Sequence, residues 1–390
     1  MISHTGEIMK ECRSGIVWSI RWIRRTAMAV CLCIGVLAAL STPADAQSST
    51  PVTYCDFNDV SVCRGPSTVP SDDISGSMQR QIQQRLEELR CNGSKDPACV
   101  GGAAADSVSY EGLGIFVSGD YQHKDKTPTS FELGFDSNRV GPTIGADYML
   151  GTSGVIGAAF GYRHTFGEYD ASYGDFDTDT FTLTMYGSYY PTDQSFIDLS
   201  LGVGREDFKN EHIDEGGGAG TVAGDTHGIE FSADITSGYD FSFGPFTVGP
   251  RLGLHYKRTE LNAFTETSSD PAAITNAYFD QQDDSLTGTV GVQASYAIST
   301  SFGVVVPQVS AEYVREFLDN REDQTAILGC CGDQPVTFKL DQPDRNHFNV
   351  GAGVVVVLPD GINPFLNYEA EIANYLEETH TVTVGFRLGF

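Results

Sequence analysis

The spacing of its strand-like segments limits what this chain can fold into more than any other feature of it. From residue 110 onward, twelve stretches place apolar residues at every second position with small or polar residues between, the period of a strand whose two faces differ. They run at residues 112–121, 140–150, 155–164, 179–190, 196–208, 227–241, 246–258, 285–298, 303–317, 346–358, 363–373 and 379–390. Their connections alternate in length as well. Short turns at 151–153, 191–193, 242–245, 299–301 and 359–361 fall between longer polar connections, such as 165–177, 209–225 and the loops that end near residues 284 and 344. A Greek-key sandwich imposes no such rule. An up-and-down barrel through a membrane does, with short turns on one side and long loops on the other. The predicted fold is therefore all-β, a twelve-stranded antiparallel up-and-down transmembrane β-barrel, over residues 107–390.

The final segment, THTVTVGFRLGF, shows the faces most clearly. Val382, Val384, Phe386, Leu388 and Phe390 share one parity, predicted to face lipid and to form the strand that closes the barrel. The opposite parity, carried through the other strands, predicts a lumen lined by Arg163, Glu230, Asp234, Arg251, His255, Lys257, Glu312, Glu369, Glu371 and Arg387. Mixed charge of this kind suits a wet lumen or one filled by a polar plug. Tyr148, Tyr162, Tyr189, Tyr190, Tyr256, Tyr296, Tyr313 and Tyr368 stand near strand ends, where an interfacial aromatic girdle is expected.

The first 46 residues read as an export signal. Arg21, Arg24 and Arg25 precede an apolar run at 27–40, and Ala44-Asp45-Ala46 has the small-x-small pattern of a signal-peptidase site. The run is shorter than the roughly 20 residues that a helical span requires, so a retained anchor is the weaker reading. Met9 and Met28 are alternative starts. The formal net charge of −28 argues against nucleic acid as a partner, because phosphate binding needs a positive surface. Cys55, Cys63, Cys91, Cys99, Cys330 and Cys331 follow the signal, and in an exported chain their even number favours disulfides over metal ligands. The first four allow three connectivities.

Residues 47–76 have a linker composition, whereas 77–90 predict an amphipathic helix: Met78, Ile82, Leu86 and Leu89 share one face and Arg80, Gln81, Gln84, Arg85, Glu87 and Glu88 fill the others. Residues 47–106 thus form a short cysteine-containing segment around that helix. The stretches VGPTIGADYML, GVIGAAFGYRHT, FTLTMYGSYY, FIDLSLGVGREDF, PQVSAEYVREF, FNVGAGVVVVL and HTVTVGFRLGF occur in this order between residues 140 and 390. Taken as an ordered set, they resemble the autotransporter outer-membrane β-barrel domain. The resemblance implies a twelve-stranded barrel with a helix through its pore, joined to an N-terminal passenger carried to the cell surface. It also implies that outer-membrane lipid and lipopolysaccharide surround the barrel and that the barrel-assembly machinery reads the closing strand. Residues 47–76 stand where the family carries a long β-helical stalk, so the expected role is to anchor or translocate a short N-terminal segment and to display acidic loops.

Catalytic signatures are missing from the sequence. Gly151-Thr152-Ser153-Gly154 breaks the spacing of a nucleophile elbow, and Gly216-Gly217-Gly218 lacks the Lys-Ser/Thr of a phosphate loop. Asp283/Asp284 and Glu377/Glu378 read as solvated loop charge rather than cation ligands. The sequence predicts no enzyme activity, cofactor or metal. The alternatives are a passive channel with an N-terminal plug, or a hydrolase acting at the rim through His164 or His212.

Overall fold

The computed structural model describes residues 74–93, 112–214, 220–318, 321–329, 334–359 and 361–389. The signal segment, Cys55, Cys63, Cys99, Cys330, Cys331, Phe390 and the side chain of Cys91 lie outside the described residues. One helix, α1 (Ile74–Gly93), precedes twelve long strands: β1 (Leu113–Lys126), β2 (Phe135–Met149), β3 (Gly154–Tyr169), β4 (Gly174–Thr192), β5 (Ser195–Ile213), β6 (Thr221–Tyr239), β7 (Phe246–Leu261), β8 (Gln281–Tyr296), β9 (Val304–Glu316), β10 (Asn346–Val357), β11 (Ile362–Ile372) and β12 (Glu377–Gly389).

Each strand pairs antiparallel with its sequence neighbours, and β12 pairs with β1 from Gly114↔Gly389 to Lys126↔Glu377. That last ladder turns an open sheet into a closed barrel. Closure is what a lipid environment demands, because an edge strand would leave backbone donors and acceptors without partners where no water can reach them. Alternation decides which way each side chain points. Leu183 is 51% exposed and Val384 57%, while their neighbours Thr182 and Thr383 are 2% and 7% exposed. The outer face is a band of Ile, Leu, Val and Phe; the inner face is polar except for an apolar arc at Phe116, Val155, Ala159 and Tyr186.

The strands outrun their sequence signal mainly on one side. The short turns fall where expected, and Gly151 (φ +63°) and Gly244 (φ +65°) take left-handed conformations in two of them. At the opposite end, residues 165–169, 174–178, 209–213 and 221–226, read from the sequence as loop, continue as strand. β4, β5 and β6 reach 19 residues each, about twice the 9–11 that a tilted spanning strand needs. Above the membrane both faces of a strand meet water or polar neighbours, so the apolar alternation stops while the hydrogen-bonded ladder does not. A buried aromatic cluster of Phe135, Tyr169, Tyr173, Phe176 and Phe208 holds these projecting hairpins together on their inner side, with Phe135 and Phe176 edge-to-face at 5.4 Å.

The connections at this end are joined to one another all the way round. The Asp170 N–H donates to the Gly134 carbonyl, and the Ile213 N–H to that of Tyr173. Thr267 and Ser268 pair with Ala223 and Val222 of β6. Pieces of the connection 262–280 and of the connection 317–345 form a separate four-stranded sheet over Tyr278, Ala326, Leu328 and Phe338. Asp344 accepts from the Tyr375 N–H, and the Thr127 N–H donates to the Leu376 carbonyl. Stretches that read as polar loops are therefore a bonded ring with two small apolar cores.

An arginine on the outer band tests the assignment of faces. Leu183→Arg or Val384→Arg should cost about 2–4 kcal/mol near the middle of a bilayer, whereas Ser310→Arg, which borders a luminal cavity, should cost much less. Heat-modifiable gel mobility, scored across a urea series, reads the difference. Equal losses for the two kinds of site would mean that the faces are wrongly assigned.

Candidate functional site: the occluded lumen

Helix α1 fills part of the barrel's interior. Its 20 residues extend about 30 Å, the thickness of a bilayer's hydrocarbon core. Met78, Ile82, Leu86 and Leu89, four of its buried residues, pack on Phe116, Val155, Ala159 and Tyr186 of β1, β3 and β4. Tyr190 joins this contact, so one tyrosine expected in the girdle turns inward instead.

Polar bonds fix the helix in rotation and height. Arg85 donates two parallel hydrogen bonds to Asp147 of β2 at 2.7 and 2.8 Å, and the Tyr186 hydroxyl donates to the same carboxylate. The Gln81 amide donates to Asp120 of β1 at 2.8 Å and accepts from the Ser118 hydroxyl; Arg163 reaches the same Asp120 at 3.1 Å. Farther along, Arg90 lies 2.8 Å from Asp198 and 3.5 Å above the Phe196 ring. Gln83, Gln84, Glu87 and Arg80 bond to Thr236, Asn367, Gln293 and Glu369, so the wall is engaged on both sides. Buried charges are tolerated when each meets an opposite charge with matched hydrogen bonds, and the fork-on-carboxylate geometry of Arg85 and Asp147 supplies that. Gly114 makes room for it: a Cβ there would overlap both the guanidinium and the carboxylate.

The helix leaves a gap on its other side. A cavity of about 100 Å³ near Arg90 and a larger one of about 270 Å³ near Gly76 share Arg80, Gln83, Thr236, Glu312 and Asn349. Arg90 and Asp198 lie toward the short turns, while Gly76 and Gln79 share the larger cavity with Asp341 and Asp344 of the long connection 317–345. The helix thus runs from the long-loop mouth down to the short-turn end.

All ten residues expected in the lumen have inward parity. Arg163, Glu230, Asp234, Arg251 and Arg387 are buried; His255, Lys257 and Glu371 border the larger cavity, Glu369 the smaller, and Glu312 both. Asp234 links the Ser200 hydroxyl to His255. Arg251 faces Asp240 at 2.5 Å, and Arg387 stacks 3.9 Å above Phe365. Val382, Val384 and Phe386 are exposed on the outer face, and Leu388 is half-buried. Sequence reasoning missed the partners of the helix, Asp120, Asp147 and Asp198. Their signal was legible as charge on the inward parity of predicted or adjoining strands, together with Arg80, Arg85 and Arg90 at steps of five. His164 faces outward against Asp179 and Asp177, whereas His212 is buried against Glu266, so the two histidines belong to different faces of the wall. Among the described residues no group of three or more His, Cys, Asp or Glu could hold a metal ion.

The mouth has its own charged cluster. Lys126 lies 2.7 Å from Glu132 and 3.5 Å from Asp341, and Arg321 lies 3.1 Å from Glu132. Burial raises the Asp341 carboxyl above its ordinary range and nearby Glu132 adds to the rise, while the Thr129 hydroxyl and Lys126 oppose it.

The family model of the autotransporter β-domain matches residues 115–369. Among solved structures, the translocator domain of autotransporter NalP from Neisseria meningitidis is similar at 15% identity and a TM-score of 0.61, covering 82% of this chain and 98% of that one. The β-domain of the Bordetella autotransporter Brka gives 17%, 0.54, 72% and 100%. The transport unit of AIDA-I from Escherichia coli gives 11%, 0.50, 76% and 100%. No curated protein matches the chain.

Two outcomes test the site. Arg85→Met leaves Asp147 buried without its cation and should cost about 3–5 kcal/mol of helix docking, whereas Arg85→Met with Asp147→Leu should recover most of that. Trypsin sensitivity of the helix in detergent measures both, and equal losses would show that the pair is not coupled. For Asp341 the sign follows from its raised affinity for a proton in the folded state. Its favourable contribution is present below the ordinary value of 3.8 and is lost as pH rises through the raised one. Asp341→Asn should therefore match or exceed the parent in resistance of the outer loops to proteolysis at neutral pH, and should lose less between about pH 4 and pH 7.

Proposed function

The chain belongs to the autotransporter β-domain family, and from that premise we propose that its barrel holds at the cell surface the segment preceding helix α1. Barrels of this family are outer-membrane transport units. The observation that carries the reading is the direction of the helix: its first turn lies at the long-loop mouth and its last at the short-turn end. With short turns on the periplasmic side, the chain before residue 74 leaves through the outer mouth. The helix then ends, and β1 begins, on the periplasmic side. Residues 1–46 act as the export signal, the acidic connections face the medium, and lipid and lipopolysaccharide contact the outer band. The luminal residues serve to seat the helix, with no catalytic step assigned to them.

A peptide tag placed after Gln47 tests this directly. Protease added to intact cells should remove the tag while leaving the barrel full-sized on a gel. A tag that survives until the outer membrane is broken would assign the segment to the lumen or periplasm, and would favour a plugged channel.

The closing strand is the proposed signal for the assembly machinery, because until β12 meets β1 it presents unpaired backbone. Deleting Phe390 should lower the folded outer-membrane fraction sharply without blocking export across the inner membrane. Phe390→Trp should be much milder, since it keeps an interfacial ring. Unchanged outer-membrane levels after the deletion would remove the strand's end from that role.

A further inference from the structure

We propose that the ring of outer connections is a second seal, closing the part of the lumen that helix α1 leaves open, and that its latch is the cluster of Lys126, Glu132, Arg321 and Asp341. The proposal rests on the barrel spanning the outer membrane as described above. It adds that the helix alone does not occlude the pore.

The helix packs its apolar face on β1, β3 and β4, and the space it leaves lies mainly against β6 to β11, with Lys124 and Lys126 of β1 and Glu377 of β12 at its mouth. That space is polar and extends from Arg90 at one end to Gly76 at the other. The bonds of Arg80, Gln83, Gln84 and Glu87 to the wall cross it without filling it, so a further barrier has to come from above. The larger cavity is bordered there by Arg321, Asp341, Gln342, Pro343 and Asp344, all from the connection between β9 and β10. These residues reach toward the connection between β1 and β2. In passing from β9 and β10 to β1, they span an arc that includes β11 and β12.

Two kinds of contact hold this roof. Toward β5 and β6 it is continuous with the small four-stranded sheet, whose connection 262–280 is fixed by the buried pair of His212 and Glu266 at 2.8 Å and by the Tyr173 ring stacked on His212. Toward β1 the contact is almost wholly ionic. Glu132 is the centre: Lys126 and Arg321 both meet its Oε2, and the Asp341 N–H donates to the same oxygen at 3.2 Å. The Thr129 hydroxyl, on the same connection as Glu132, donates to the Asp341 carboxylate. Glu132, Lys126 and Asp341 have side chains only 3%, 7% and 7% exposed, so the cluster is desolvated, and the charge of Glu132 depends on Lys126 and Arg321. Apolar cores and backbone hydrogen bonds join the rest of the ring, and this junction is where one changed charge would part it. Arg321→Glu would set a third acid against Glu132 and Asp341 with only Lys126 to oppose them.

Asn349 borders both cavities and so reports on the space beneath the roof. In whole cells, Asn349→Cys should react slowly with a small membrane-impermeant methanethiosulfonate, measured against the parent chain as background for its own thiols. Adding Arg321→Glu should raise that rate by about tenfold or more, because breaking a buried ion cluster shifts a local opening equilibrium by at least that factor. Arg321→Lys should leave it slow. Rapid reaction of Asn349→Cys with the latch intact, or an unchanged rate with Arg321→Glu, would overturn the proposal. So would a rate raised by Arg85→Met and not by Arg321→Glu, which would return the seal to the helix alone. Heat-modifiable mobility checks that each variant has assembled, and Glu132→Gln replaces Arg321→Glu if that variant does not. A chain missing from the outer-membrane fraction before labelling would fail the proposed function, a result distinct from failure of the latch.

Discussion

Everything in this molecule depends on giving each backbone N–H and C=O a partner inside the sheet. In hydrocarbon there is no water to bond an orphaned group, and each costs several kcal/mol. Twelve strands meet that requirement only when β12 finds β1 across a sequence separation of almost the whole barrel. The alternation of side chains follows from it. Once every backbone group is bonded laterally, one face of each strand must dissolve in lipid and the other must enclose whatever the interior holds.

The interior then poses a separate problem, because a twelve-stranded wall encloses more room than its own side chains fill. The helix meets part of it with an apolar contact on one arc and a set of charge-matched bonds elsewhere. Asp147 and Asp198 would each be a liability on a buried wall without Arg85 and Arg90, while Asp120 is met by Arg163 of the wall as well as by Gln81. The converse holds for the helix, whose arginines have no other route to a stable burial. Wall and helix are consequently each incomplete alone, which is how a polar interior comes to hold one defined plug.

Much of this was legible in the sequence, for reasons that can be stated residue by residue. Leu183, Val384 and Phe386 revealed the outer face because lipid selects apolar side chains at every second position. The helix was legible because Met78, Ile82, Leu86 and Leu89 recur at a helical period and pack as one stripe. Above the membrane that selection ends, so residues such as 165–169 and 209–213 gave no sign of remaining strand. Tyr190 was misplaced for a related reason: next to a turn, parity alone does not tell an interfacial ring from one packed on the helix. The four-stranded sheet of the mouth was invisible, because its pieces are two to four residues long and pair across connections far apart in the chain.

The seam between β1 and β12 is unequal along its length. At the outer end Lys124 holds Glu377 at 2.9 Å, and the Thr127 N–H donates to the Leu376 carbonyl just beyond the ladder. At the other end Gly114 faces Gly389, a rung with no side chains to interlock. A wall coming apart along this seam would therefore peel from the short-turn rim toward the long-loop mouth, like a zip fastened at its far end.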